Sequence, residues 1–122
     1  MINRWHVLAF VVVLASAALA QAQTFTTVYN FTGGSDGGNP YAGVIQDKAG
    51  NLYGVTSGCG ANNWGALYEL RASGTLTLLH SFSGTDGESP YGEVLLTANG
   101  ELFGTATSGG AYGYGTVWSY VP

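Results

Sequence analysis

Past residue 23, apolar positions come in short alternating bursts cut by glycine, asparagine and aspartate. No window there repeats apolar residues with a 3.6-residue period between helix caps, so no helix is expected. Residues 24–31 (TFTTVYNF) and 75–82 (TLTLLHSF) are rich in β-branched, aromatic and aliphatic side chains, as strands are. Each is followed by a glycine–aspartate turn and a proline, then by a second expected strand over 41–46 or 91–96. Tight turns at Lys48-Ala49-Gly50 and Ala98-Asn99-Gly100, where glycine accepts positive φ, lead to third strands over 52–56 and 102–106. Beyond a glycine-rich loop lie fourth strands, over 64–70 and 114–120. The pattern predicts an all-β protein of two four-stranded antiparallel units.

The two units are copies of one another. At an offset of fifty, residues 34–70 overlay residues 84–120 with twelve identities, including Asp36/Asp86, Pro40/Pro90, Tyr41/Tyr91, Leu52/Leu102, Gly54/Gly104 and Gly65/Gly115. At an offset of fifty-one, residues 24–31 also overlay residues 75–82. The centre of each copy is a strand, a glycine turn and an aromatic, NLYGVTSGCGANNW at 51–64 and ELFGTATSGGAYGY at 101–114. A period of about fifty lies among the repeat lengths of propeller blades. The units are expected over 23–74 and 75–122, meeting in the turn Arg71-Ala72-Ser73-Gly74. Two blades have four faces, and one mutual interface covers only two of them. Propellers close with roughly 4–8 blades, and uncovered apolar faces are costly in water. Three resolutions stay open: several chains forming one ring, further units in a longer array, or a small sandwich.

The leader changes the setting. Arg4 precedes an unbroken apolar run over residues 7–20, followed by small residues at Ala18-Leu19-Ala20 and Ala20-Gln21-Ala22 that fit a cleavage rule. The run falls short of the ~20 apolar residues needed to span a bilayer. A signal peptide over 1–22 is expected, with no membrane span after its removal and a secreted, extracellular or cell-envelope location. The whole chain carries a formal net charge of −4, and beyond the leader only Lys48 and Arg71 are basic. Such a surface repels phosphate backbones, so nucleic acid is not an expected partner. Nor is there a basic amphipathic stretch for anionic lipid. Cys59 is the single cysteine, which excludes a disulfide within the chain. It overlays Gly109, so the turn does not require sulfur.

Little of this carries chemistry. Asp36 and Asp86 sit in Ser/Thr-Asp-Gly turns, where carboxylates bond neighbouring backbone amides; the twelve-residue calcium-loop pattern is absent. His80 is the one histidine after the leader, and a metal centre would need further ligands. Acid–base chemistry would need a positioned partner for it, and it reads as a structural or surface residue. No spacing among Asp86, Glu88, Glu93 and Glu101 selects a pair of carboxylates for glycoside hydrolysis. The glycines around Gly58-Cys59-Gly60 and Gly109-Gly110 lack the lysine and helix of a phosphate loop. No catalytic residue, metal or cofactor is expected. Aromatics offer the better binding candidates, because Tyr and Trp pair an apolar face with a polar handle. Tyr41, Trp64, Tyr91 and Tyr114 are the candidate ligand-binding residues, against the plainer reading that they pack blade on blade.

The repeated motifs resemble a known bacterial family. Asp36-Gly37 with Pro40-Tyr41, then Gly50-Asn51-Leu52-Tyr53-Gly54, then Gly60 with Gly65-Ala66-Leu67-Tyr68, are similar to the GloVer tandem repeat of exported bacterial proteins. The second copy repeats the pattern as Asp86-Gly87, Pro90-Tyr91, Gly100-Glu101-Leu102-Phe103-Gly104 and Gly115-Thr116-Val117-Trp118. Thr97 departs from it where the first copy has Asp47. The resemblance implies a propeller-like, exported protein and no established reaction. The function expected is a secreted or cell-surface, non-enzymatic β-propeller repeat module for protein or ligand interaction, with self-association or further blades as partners. An oligomeric carbohydrate-binding lectin is the alternative, and a fragment of a propeller hydrolase the weaker one.

Overall fold

In the computed structural model, residues 21–122 are described, and they form two open antiparallel sheets with no helix. The expected signal peptide over 1–22 therefore lies almost wholly outside the described residues. The first sheet has the order β1-β2-β3-β4, with β1 at Ile45–Gln46, β2 at Leu52–Thr56, β3 at Ala66–Leu70 and β4 at Leu76–Ser81. The second has the order β5-β6-β7, with β5 at Leu95–Leu96, β6 at Leu102–Ala106 and β7 at Thr116–Tyr120.

Two expectations need correction. The second sheet has three strands rather than four. Residues 24–31 form no strand, although their counterpart 75–82 supplies β4. β4 pairs with β3 of the preceding unit, and the turn between them is a hairpin in which Gly74 N donates to Arg71 O at 2.8 Å. Sheet and sequence repeat are thus out of phase: the second copy's leading strand completes the first copy's sheet. Residues 24–31 have no earlier sheet within the described residues to complete.

The second expected strands are also trimmed, to two residues each. Asn39 and Ser89 turn the chain with φ of 57° and 53°, immediately before Pro40 and Pro90, which have no N–H to give a ladder. Left-handed backbone before proline is disfavoured. It is held because Ser57 N donates to Asn39 O at 3.1 Å and Thr107 Oγ1 donates to Ser89 O at 2.9 Å.

The hairpin turns are built alike from different side chains. Asp47 accepts bonds from the amides of Ala49 and Asn51, both at 2.9 Å. Thr97 does the same work without a charge: its hydroxyl oxygen accepts from Glu101 N at 3.0 Å and its O–H donates to Glu101 O at 3.2 Å.

One core joins the sheets. Strand alternation puts Tyr53 and Val55 of β2 with Leu67 of β3 on one face. That face packs with Val94 and Leu102 of the second unit, and Leu79, Trp118 and Tyr120 close around it. In each sheet a glycine lies across from an aromatic: Gly54 faces Tyr68 on the side of the first sheet turned away from this core, and Gly104 faces Trp118 on the side of the second sheet turned towards it. A Cβ on Gly54 would stand 2.8 Å from Tyr68 Cζ, so the ring lies directly on the glycine backbone.

Candidate functional site

The four candidate aromatics do not form one site. Tyr41 and Tyr91 come together: their ring centroids are 5.2 Å apart at 59°, and they remain 71% and 47% exposed. Each follows a proline at the mouth of its unit, so the repeat itself places two equivalent rings side by side. Neither Trp64 nor Tyr114 makes a ring contact with this pair among the described residues.

Trp64 is instead part of the seam between units. Its carbonyl accepts from Ser89 N at 2.9 Å, and its indole covers Gly84, where a Cβ would stand 3.6 Å from Nε1. Phe82 N donates to Gly65 O at 3.0 Å across the same seam. Trp64 is 43% exposed and its counterpart Tyr114 is 92% exposed, because among the described residues no second seam forms on the far side of unit two. Trp64 thus lies where the two units meet.

A concavity of about 170 Å³ lies between the two sheets and is lined by Leu67, His80, Phe82, Asp86, Trp118 and Tyr120. Here His80 has the partner that the sequence did not reveal: Nε2 lies 2.6 Å from Asp86 Oδ2. Asp86 also accepts from Ser83 N at 2.8 Å and Ser83 Oγ at 3.0 Å. Burial pushes its carboxyl pKa up, but the bonds from Ser83 and His80 outweigh that and hold it below the usual value.

The first copy builds the same brace from a phenol. Tyr29 Oη donates to Asp36 Oδ2 at 3.0 Å, and Thr32 N donates to the same oxygen at 2.9 Å. The Thr32 hydroxyl and amide lower the Asp36 pKa to about 2, and the bond to Asp36 raises that of Tyr29. A phenol with a raised pKa is no base near neutral pH, yet it occupies the same place. The shared role of the two pairs is to fasten the Ser/Thr-Asp-Gly turn to the strand segment before it. Sequence reasoning could have found this pairing, since His80 and Tyr29 both lie six or seven residues before their aspartates.

A family model described as the Gloeobacter/Verrucomicrobia repeat matches residues 16–122. The chain belongs to this family. The Gloeobacter/Verrucomicrobia repeat spans both sheets, the Tyr41–Tyr91 pair and both aspartate braces, so it includes every feature considered for function. The resemblance carried by the Asp-Gly…Pro-Tyr and Leu-Tyr-Gly motifs is thereby shown. No curated protein matches the chain. Among the described residues of this Gloeobacter/Verrucomicrobia repeat protein, no three His, Cys, Asp or Glu side chains converge as metal ligands, and no helix is long and apolar enough to cross a membrane.

Proposed function

We propose that this chain is an exported, non-enzymatic β-propeller-type repeat module that binds a ligand through paired tyrosines at the seam of its units. The observation that supports this most is the Tyr41–Tyr91 pair, two half-open aromatic faces from equivalent positions with centroids 5.2 Å apart. Aromatic rings of this size add binding area at little cost in side-chain entropy, and their hydroxyls orient a polar partner. The apolar leader supports export. The non-enzymatic part rests on the interchange of His80 with Tyr29, which gives the His80–Asp86 pair a structural counterpart.

Carbohydrate is the ligand class this pair favours over protein, because apolar sugar faces stack on rings while sugar hydroxyls reach the phenols. Glycan-array screening followed by titration calorimetry tests it. Tyr41→Ala and Tyr91→Ala are each expected to weaken a detected glycan by about tenfold or more, corresponding to ~1.4 kcal/mol. Both positions are exposed, so the fold should survive. Binding unaffected by the double substitution would remove the tyrosine site. Absence of any glycan signal would move the reading to a protein ligand.

A further inference from the structure

The second sheet lacks the strand that completes the first, and the chain carries a spare copy of it. β3 has neighbours on both sides, β2 and β4, whereas among the described residues β7 pairs only with β6. An unpaired edge of this kind is a template for strand addition. Residues 24–31 are the sequence counterpart of 75–82, which supplies β4, and they belong to neither sheet. Their C-terminal half is already set in the β4 manner. Tyr29 bonds Asp36 as His80 bonds Asp86, and Phe31 packs edge-on to Tyr68, centroids 5.1 Å apart, as Phe82 does to Trp118 at 5.8 Å. The segment just before this anchor, residues 24–28, lies exposed.

The surface of unit two that would receive it is exposed at positions that are covered in unit one. Val117 is 81% exposed, while its counterpart Leu67 is 1% exposed under the second unit. Leu95 and Tyr114 are likewise exposed. The described residues therefore contain one complete seam between units together with both halves of a second.

We propose that a second copy of this chain joins head to tail, its residues 24–31 adding to β7 as the fourth strand of the second sheet. The internal template fixes the register. Transferring the β3–β4 pairs Leu67↔His80, Tyr68↔Leu78, Glu69↔Thr77 and Leu70↔Leu76 by fifty on one strand and fifty-one on the other sets four new pairs. Val117 lies opposite Tyr29, Trp118 opposite Thr27, Ser119 opposite Thr26 and Tyr120 opposite Phe25. The same transfer has Phe31 N donating to Gly115 O and Asn39 N donating to Tyr114 O across the chains. Such a contact is heterologous, so it closes as a ring or runs on as a filament. With two sheets per chain, a ring of roughly 4–8 sheets takes about two to four chains. This inference goes beyond the ligand reading and holds whatever the tyrosines bind.

The test uses the full chain, measured by sedimentation and by disulfide trapping in a Cys59→Gly background, glycine being the residue at the equivalent position 109. The native chain should sediment as a multiple of one chain, and Val117→Glu should reduce it to one chain with its β-sheet circular dichroism intact. Thr26→Cys with Ser119→Cys should give interchain disulfides on mild oxidation, since directly opposed strand residues meet the bridging distance. Thr24→Cys with Ser119→Cys, two residues out of register, should lose most of that product. A native chain that sediments as one chain at all accessible concentrations overturns the proposal. So does an assembly unmoved by Val117→Glu that traps both cysteine pairs equally, or a Thr26–Ser119 bridge formed within one chain.

Discussion

Gly54 shows how tightly single positions are specified here. It lies mid-strand with ordinary backbone geometry, so backbone freedom does not explain it; the Tyr68 ring across the ladder does. A methyl group at Gly54 would meet Tyr68 Cζ at 2.8 Å, and the buried ring would have to move. Gly54→Ala should therefore destabilise the protein by about 1–3 kcal/mol, the usual cost of overpacking. Urea unfolding followed by tyrosine and tryptophan fluorescence measures this, and an unchanged midpoint would disprove the ring-on-glycine account. Asp36 makes a second residue-level prediction, through pH. Its pKa is lowered from 3.8 to about 2 in the folded chain by the Thr32 hydroxyl and amide. A depressed carboxylate contributes stability that is present above the unfolded value and is lost as pH falls through the folded one. Melting temperature should thus drop between about pH 4 and pH 2, with the lowered Asp47 and Asp86 adding in the same direction. Asp36→Asn should flatten part of that acid slope. A variant with the same slope as the native chain would show that the Thr32 bonds contribute nothing to folding.

At the scale of elements, the sequence revealed composition and period better than partnership. β2, β3, β6 and β7 fall within or on their expected ranges, since each opens within two residues of a turn glycine, Gly50, Gly65, Gly100 or Gly115. The leading segments were legible as strand-formers and not as members of a particular sheet. A strand is defined by its neighbour, and TFTTVYNF has the propensity without a neighbour, whereas TLTLLHSF finds β3. The register shift between Leu67 and Tyr68 in the β3–β4 pairing leaves no residue signature either. Of the candidate site, the recurrence of tyrosines after Pro40 and Pro90 was visible, but their contact depends on how one sheet packs on the other. The His80–Asp86 pair left only a spacing signal, because the copies use different residues, His80 and Tyr29, for one bond. Edge status has a measurable consequence. In the single-chain Val117→Glu variant, alternate amides of β7 face solvent, while those of β3 are bonded on both sides. Hydrogen exchange should be faster at those β7 amides than at the matching β3 positions. Equal protection would mean that β7 is covered by something other than a second copy.

The whole molecule is held by one seam and one shared core, and its two outer surfaces are unlike each other. The outer face of unit one carries Tyr68 and Leu70, which are buried beneath the segment that includes Phe31. The outer face of unit two presents Leu95 and Val117 to water and ends in the unpaired edge of β7. If that edge only awaits a strand of the β4 type, a strand supplied in cis should satisfy it. Val121 and Pro122 overlay Arg71 and Ala72 at the offset of fifty, so a copy of residues 73–82 appended after Pro122 would reproduce the β3–β4 hairpin on β7. The extended chain should gain β-sheet signal, melt at a higher temperature than the native chain, and sediment as a smaller species because its edge is occupied. Appending the same ten residues in scrambled order should do none of these things. Should the ordered and scrambled extensions behave alike, sheet completion would not be what limits the second unit. The exposed Leu95 and Val117 face would then be the remaining source of self-association, acting through its apolar surface alone.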